Sequence, residues 1–180
     1  VADGACVYIG NHYRIWDVIY PASTTWEGIH YISKKSVVHN WFMGFFCKHL
    51  KAIEVSRDGS DVRAIMDSLK CLKNGEKICI FPEGTRNKTN ADMLPFKSGA
   101  SVMAIKARVP IVPIMQYKKP KPFRLNHILI GEPFEFTEYY DKKLTDELIR
   151  EADEKLREKL LEMRREHAEF LASKKRRKKA

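Results

Sequence analysis

Two short runs, Lys77-Ile78-Cys79-Ile80-Phe81 and Val109-Pro110-Ile111-Val112-Pro113-Ile114-Met115, are apolar at almost every position rather than at every second one. A strand with one face in water alternates in polarity, so runs like these belong to strands covered on both faces. Segments of helical period lie between such runs. After Asp58-Gly59-Ser60, the residues Val62, Ile65, Met66, Leu69 and Leu72 recur on one helical face, and Gly75 supplies a stop. Further strand-like runs occur at Ala5-Cys6-Val7-Tyr8-Ile9, Gly28-Ile29-His30-Tyr31-Ile32, Ala52-Ile53-Glu54-Val55 and Asn126 to Gly131. Strands alternating with helices predict an α/β fold: a single domain with a mostly apolar sheet, mixed or parallel, flanked by helices. At 180 residues the chain is long enough to close one hydrophobic core, and no second domain is needed.

Other segments have a character of their own. Val37 to Leu50 reads as a helix crowded with Trp41, Phe42, Phe45 and Phe46 around Gly44. Periodicity fits a buried helix, an apolar floor for a hydrocarbon chain and a patch that dips into a bilayer equally well. Asn87 to Pro95 is polar and reads as a loop, a candidate lid, and Ser98 to Ala107 reads as a short helix of small residues. Lys118 to Pro122 alternates lysine and proline, too stiff and polar for a core. From Lys142 onward, Leu144, Leu148, Ala152, Leu156, Leu160, Met163 and Leu171 keep a narrow stripe among many charges, which predicts a long C-terminal amphipathic helix. The expected organisation is a main domain over 1–140, a helix over 141–173 packed on or extending it, and a disordered basic tail over 174–180.

The formal charge is +10, and Lys174, Lys175, Arg176, Arg177, Lys178 and Lys179 carry six of it. Such a tail raises two readings, a nucleic-acid-binding module and an anionic lipid surface. No interleaved aromatics, recognition helix or stacking strand accompany it, which favours lipid, where each basic residue near the surface contributes roughly 1 kcal/mol. Cys6, Cys47, Cys71 and Cys79 have neither the pairing of a zinc site nor the density of a disulfide scaffold, and read as reduced structural thiols.

The residues that carry chemistry fall at strand ends. Gly10-Asn11-His12-Tyr13-Arg14-Ile15-Trp16-Asp17 follows the first strand and places a base near an acid. A histidine that takes a proton at neutral pH needs its second ring nitrogen held by an acceptor, which fixes the tautomer and stabilises the imidazolium. Five residues of regular helix turn through about 500°, leaving the two side chains roughly 140° apart. His12 is therefore expected in the loop before a helix, with Asp17 in its first turns. A surface pair or a capping arrangement would leave the same trace. No serine or cysteine stands beside the histidine, which points to a substrate hydroxyl as the attacking group. Further on, Pro82 ends a strand and Glu83-Gly84-Thr85-Arg86 follows at its C-terminal end. Ligands collect at that edge of an open α/β sheet, so this turn is a candidate anion site, the alternative being an ordinary turn with a salt bridge.

Four blocks occur in order: Asn11-His12 with Asp17, the strand ending in Arg57, Phe81-Pro82-Glu83-Gly84-Thr85-Arg86, and Val109-Pro110-Ile111-Val112-Pro113. Together they resemble the glycerolipid acyltransferase family that includes the 1-acylglycerol-3-phosphate acyltransferases. The resemblance implies that His12 is the general base and Asp17 its partner. It places Arg57, Glu83, Gly84, Thr85 and Arg86 on positions that bind the glycerol phosphate substrate, and the Pro110 block on the acyl-donor side. Lys35, ahead of the aromatic-rich stretch, matches the family's lysine-containing segment and joins the substrate-binding set. Arg14 stands where the family often has a small polar residue, and is expected to point outward or towards phosphate.

The activity implied is transfer of a fatty acyl group from a thioester to the free hydroxyl of 1-acyl-glycerol-3-phosphate, giving phosphatidic acid for phospholipid synthesis. Glycerol 3-phosphate or another lysophospholipid is the alternative acceptor. This chemistry calls for no metal and no cofactor beyond acyl-CoA or acyl carrier protein as the thioester co-substrate. The expected partners are a lysophospholipid, that thioester and an anionic membrane surface, with no nucleic acid. The expected location is the cytoplasmic face of a membrane, peripheral or anchored by a segment missing from this chain.

Overall fold

The computed structural model describes residues 3–34, 51–55, 62–97, 99–121 and 123–177. Lys35, Arg57, Cys47 and the helix expected over Val37 to Leu50 lie outside the described residues. Six strands, β1 (Cys6–Ile9), β2 (Ile29–Lys34), β3 (Ile53–Val55), β4 (Lys77–Ile80), β5 (Ile111–Gln116) and β6 (Ile128–Ile130), form one sheet in the order β3-β2-β4-β1-β5-β6. Every neighbouring pair is parallel except β5 with β6, so the sheet is mixed. β1 and β5 are buried at every position, as their continuous apolar sequences require.

The described helices are α1 (Ile19–Ala22), α2 (Val62–Lys73), α3 (Val102–Ala107) and α4 (Asp146–Arg177). On one face of the sheet Val7, Ile9, Ile78, Ile111 and Met115 share a core with Ala64 and Leu72 of α2, Met103 and Ala104 of α3, and Ala152, Leu156 and Leu160 of α4. On the other, Cys6, Tyr8, Cys79, Val112 and Ile114 pack with Tyr31, Val18 and Tyr20. Cys6, Cys71 and Cys79 are free thiols, and burial pushes the Cys6 thiol up to about 11. Among the described residues no helix is long and apolar enough to cross a membrane.

Two helices depart from the expectations. The buried positions of α2 are Ala64, Ser68 and Leu72, whereas Val62 and Met66 are exposed. The helix presents its small residues so that its backbone comes close to the sheet, and the Ser68 hydroxyl is satisfied by donating to the Ala64 carbonyl at 2.7 Å. At the other end of the chain, α4 continues through Lys174, Lys175, Arg176 and Arg177, four residues into the segment expected to be a disordered tail. Lysine and arginine are good helix formers, and cations are favourable at a helix C-terminus. Position 153 adds a feature that a hydrophobic pattern does not register. Asp153 of α4 is buried and accepts the backbone N–H groups of Gly99 and Ser101 at 2.9 and 2.8 Å, fixing the segment ahead of α3.

Candidate active site

The parallel pairing of β1 with β4 sets Ile9 opposite Ile80. Three residues beyond each strand end stand His12 and Glu83, and the His12 backbone N–H donates to Glu83 Oε1 at 2.8 Å. Pairing of β1 with β5 sets Ile9 opposite Pro113, and Asn11 ties the same loop to the end of β5. Its Nδ2 donates to the Gln116 carbonyl at 3.0 Å and its Oδ1 accepts the Gln116 N–H at 2.9 Å. Gly10 makes the exit from β1 possible, because a Cβ there would overlap the Ile114 carbonyl oxygen. The C-terminal edge of the sheet thus collects the first and third motif blocks, while the fourth leads into β5 from the opposite edge and reaches the level of Ile9 only at Pro113.

Asp17 lies in a 3-10 turn over Ile15–Val18 and is 1% exposed. Its Oδ2 accepts the backbone N–H groups of Tyr13 and Arg14 at 2.6 and 2.7 Å and faces His12 Nδ1 at 2.9 Å. The capping arrangement and the base–acid pair, alternatives on sequence, are made by one oxygen. A carboxylate can only accept, so Nδ1 carries the ring proton and Nε2 the lone pair. Nε2 makes no hydrogen bond with the described residues, and the ring, 20% exposed, is stacked on Phe81 with centroids 4.5 Å apart. Asp17 Oδ1 and Gln116 Oε1 have no hydrogen-bond partner among the described residues and line a small cavity with Asn11, Tyr20 and Phe81.

Glu83 is 2% exposed, and its Oε2 accepts the Leu94 N–H at 2.8 Å, so both oxygens serve backbone amides. Burial pushes its carboxyl pKa up, opposed by the hydrogen bonds from Leu94 and His12. A substrate-facing carboxylate is not what the geometry presents; Glu83 braces the histidine loop against the 87–95 segment. That segment is fastened to the site instead of hinging over it. Asn87 N–H donates to the His12 carbonyl at 2.6 Å, Asn87 Nδ2 to the Ala91 carbonyl, and the Tyr13 hydroxyl to the Asp92 carbonyl. Gly84 takes φ +60° in the turn after β4, leaving Thr85 and Arg86 exposed. Arg86 makes no hydrogen bond or ion pair with the described residues and precedes the amide that holds His12. Arg14 is exposed and its Nε donates to the Pro120 carbonyl at 3.3 Å.

No donor cluster was expected, but one trio among the described residues, His30, Cys71 and Glu76, holds its ligand atoms within 4.8 Å of one another. It lies at the opposite, N-terminal edge of the sheet. Glu76 Oε1 lies 3.2 Å from His30 Nε2 and 3.8 Å from Lys51 Nζ, and the Glu76 N–H donates to the Cys71 carbonyl at 3.0 Å, which accounts for the cluster as an ion-pair network at a helix end.

A sequence model of the family described as Acyltransferase matches residues 1–116, which contain all four motif blocks. The chain belongs to the acyltransferase family. Within it, the chain is 37% identical over 111 residues to a 1-acyl-sn-glycerol-3-phosphate acyltransferase of Bacillus subtilis, covering 58% of this chain and 54% of that protein. It is 29% identical over 178 residues to the protein of that name from Salmonella typhimurium, covering 92% and 71%. The matched stretch covers 33% of a chloroplastic relative from Brassica napus and 40% of a human one, so the match spans about half the length of such relatives or less. The crystal structure of the 1-acyl-sn-glycerophosphate acyltransferase from Thermotoga maritima has the same fold, with a TM-score of 0.64 at 21% identity over 96% of this chain and 68% of that one.

Proposed function

We propose that this chain catalyses transfer of a fatty acyl group from a thioester, acyl-CoA or acyl carrier protein, to the free hydroxyl of 1-acylglycerol-3-phosphate. The observation that carries the reading is the His12 ring. Its Nδ1 is held 2.9 Å from a buried carboxylate, and its Nε2 is open at the sheet edge that also bears Arg86. The names of the relatives support the acceptor.

His12 Nε2 takes the proton of the acceptor hydroxyl while that oxygen attacks the thioester carbonyl carbon, and Asp17 stabilises the imidazolium. The tetrahedral intermediate collapses with cleavage of the carbon–sulfur bond, and the imidazolium returns its proton to the leaving thiolate. An ester and a free thiol result, and His12 is regenerated. Arg86 holds the acceptor's phosphate by charge-assisted hydrogen bonds, joined by Arg57 and Lys35 in the family's pattern. Glu83 acts through the backbone, as a positioning residue for His12. The acceptor is a lipid, so the working location is a membrane surface. No feature of the fold or relatives favours the nucleic-acid alternative.

The test is incubation of the full chain with labelled acyl-CoA and acyl carrier protein thioesters and a panel of lysophospholipids and glycerol 3-phosphate, followed by identification of the acylated product. Labelled phosphatidic acid from lysophosphatidic acid, abolished by His12→Ala with the fold retained, is the expected result. Transfer at a near wild-type rate by His12→Ala would overturn the assignment of the base.

A further inference from the structure

The connection from β5 to β6 begins one residue past the stretch matched by the family model. It contains Lys118, Lys119, Lys121 and Arg124, all exposed, and no acidic residue. Phe123 and Leu125 project fully and 85% into solvent, respectively. An exposed apolar pair within an uninterrupted group of four cations is costly for a surface that meets only water.

The loop is also built. Its base is closed by the Tyr117 N–H donating to the His127 carbonyl at 3.0 Å. Inside it, Asn126 Oδ1 accepts the Lys121 N–H at 3.0 Å, while Nδ2 donates to the carbonyls of Lys121 and Arg124 at 3.1 and 2.9 Å. Phe123 is held at φ +55°, a left-handed conformation that a bulky residue adopts only under local constraint. One asparagine side chain therefore replaces the hydrogen bonds a regular turn would make, and the ring it presents faces outward.

The tip adjoins the reaction site. Arg14 Nε reaches the Pro120 carbonyl from the His12 loop, and the next turns of that loop expose Trp16 by 54% and Ile19 by 53%. At the loop's base, His127 meets His167 of α4 at 3.3 Å, and the half-exposed Phe170 with Lys174 above its ring follows on that helix.

We propose that the β5–β6 loop is a membrane-docking tip, which seats Phe123 and Leu125 in the interface of an anionic bilayer while Lys118, Lys119, Lys121 and Arg124 pair with headgroup phosphates. Charge complementarity selects the occupant: a neutral protein groove would bury the apolar pair but leave four cations uncompensated. Docking in this orientation holds the Arg14 side of the His12 loop against the layer in which a lysophospholipid acceptor resides. The inference rests on the acyl-transfer reading only for that last consequence, since binding is measured without turnover.

The experiment is sedimentation of the full chain with vesicles of phosphatidylcholine alone and of phosphatidylcholine with 30% (about one lipid in three, enough to give a strong surface potential) phosphatidylglycerol. Wild type is compared with Phe123→Ser/Leu125→Ser and with a variant carrying glutamine at the four basic positions. Wild type is expected to pellet with the anionic vesicles, and each variant to partition at least about tenfold more weakly with an unchanged thermal midpoint. Binding of both variants at the wild-type level, or no preference of wild type for anionic over neutral vesicles, would overturn the proposal. Transfer to a short-chain lysophosphatidate below its micellar concentration separates the two readings. Activity there without vesicle binding removes the docking tip and leaves the chemistry, whereas loop-dependent binding without any transfer does the reverse.

Discussion

Asp17→Asn takes one negative charge from beside the His12 ring while keeping nearly the same shape. The amide oxygen can still accept the Tyr13 and Arg14 N–H groups that Oδ2 holds at 2.6 and 2.7 Å. The new Nδ2 falls where Oδ1 has no partner and enters the cavity that Gln116 Oε1 lines. At the 2.9 Å separation from Nδ1, and with an effective dielectric of about 20, carboxylate and imidazolium attract by about 6 kcal/mol. Delocalisation of charge over the ring and its 20% exposure reduce this by about half. About 3 kcal/mol of transition-state stabilisation is lost, or about 100-fold in kcat. The assay follows thiol release from acyl-CoA at saturating lysophosphatidate, with thermal unfolding as the control for folding. The acceptor KM should stay within about twofold, since Asp17 does not face the substrate. Adding His12→Ala to Asp17→Asn should cost little more than His12→Ala alone, because the two act as a unit. A loss in kcat below about fivefold, or losses that multiply in the double variant, would refute the electrostatic role.

The other predictions concern the scaffold and the acceptor. Glu83 has a folded-state pKa raised above its ordinary 4.5, so the native state holds the proton more tightly, and its contribution to stability declines as pH rises from there through the raised value. The stability of wild type minus that of Glu83→Gln, from denaturant titrations between pH 4.5 and 7.5, should therefore fall with rising pH; a difference that grows would contradict the burial argument. Gly10→Ala drives a methyl group into the Ile114 carbonyl and should cost about 2–3 kcal/mol, lowering the thermal midpoint by roughly 5–10 °C. An unchanged midpoint would mean that β1 and β5 separate freely at their ends. Arg86→Ala should raise the acceptor KM by about 10- to 100-fold, the worth of a charge-assisted phosphate contact, with a much smaller change in kcat. An unchanged KM would place the phosphate elsewhere.

What sequence reveals here depends on whether a residue's partner is near it in the chain. His12 and Asp17 are five apart, and the angular argument that removed them from a regular helix is met by a loop followed by a 3-10 turn. The continuous apolar runs are strands for the same reason: burial on both faces leaves a local trace. Asn11 and Gln116, by contrast, are 105 residues apart, and only the register of β1 with β5 brings them together. Glu83 could be marked as important but not given its task, since its partners are backbone amides, which have no sequence signature. The orientation of α2 eluded the hydrophobic pattern because close approach to the sheet rewards Ala64 and Ser68 over larger side chains. Phe81 under the histidine ring was hidden within an apolar run, where a stacking platform and a core residue look alike.

The helix α4 lies wholly beyond the residues by which the family is recognised, yet Ala152, Leu156 and Leu160 on it are completely buried, and Asp153 holds two amides near α3. The recognisable stretch and the autonomous folding unit are therefore different objects. A fragment trimmed to Gln116 would keep every motif and still strip the cover from one side of the sheet, so its inactivity would report on collapse of the scaffold and not on the chemistry. Chimaeras that exchange the motif-bearing portion between relatives need a matching α4 carried with it.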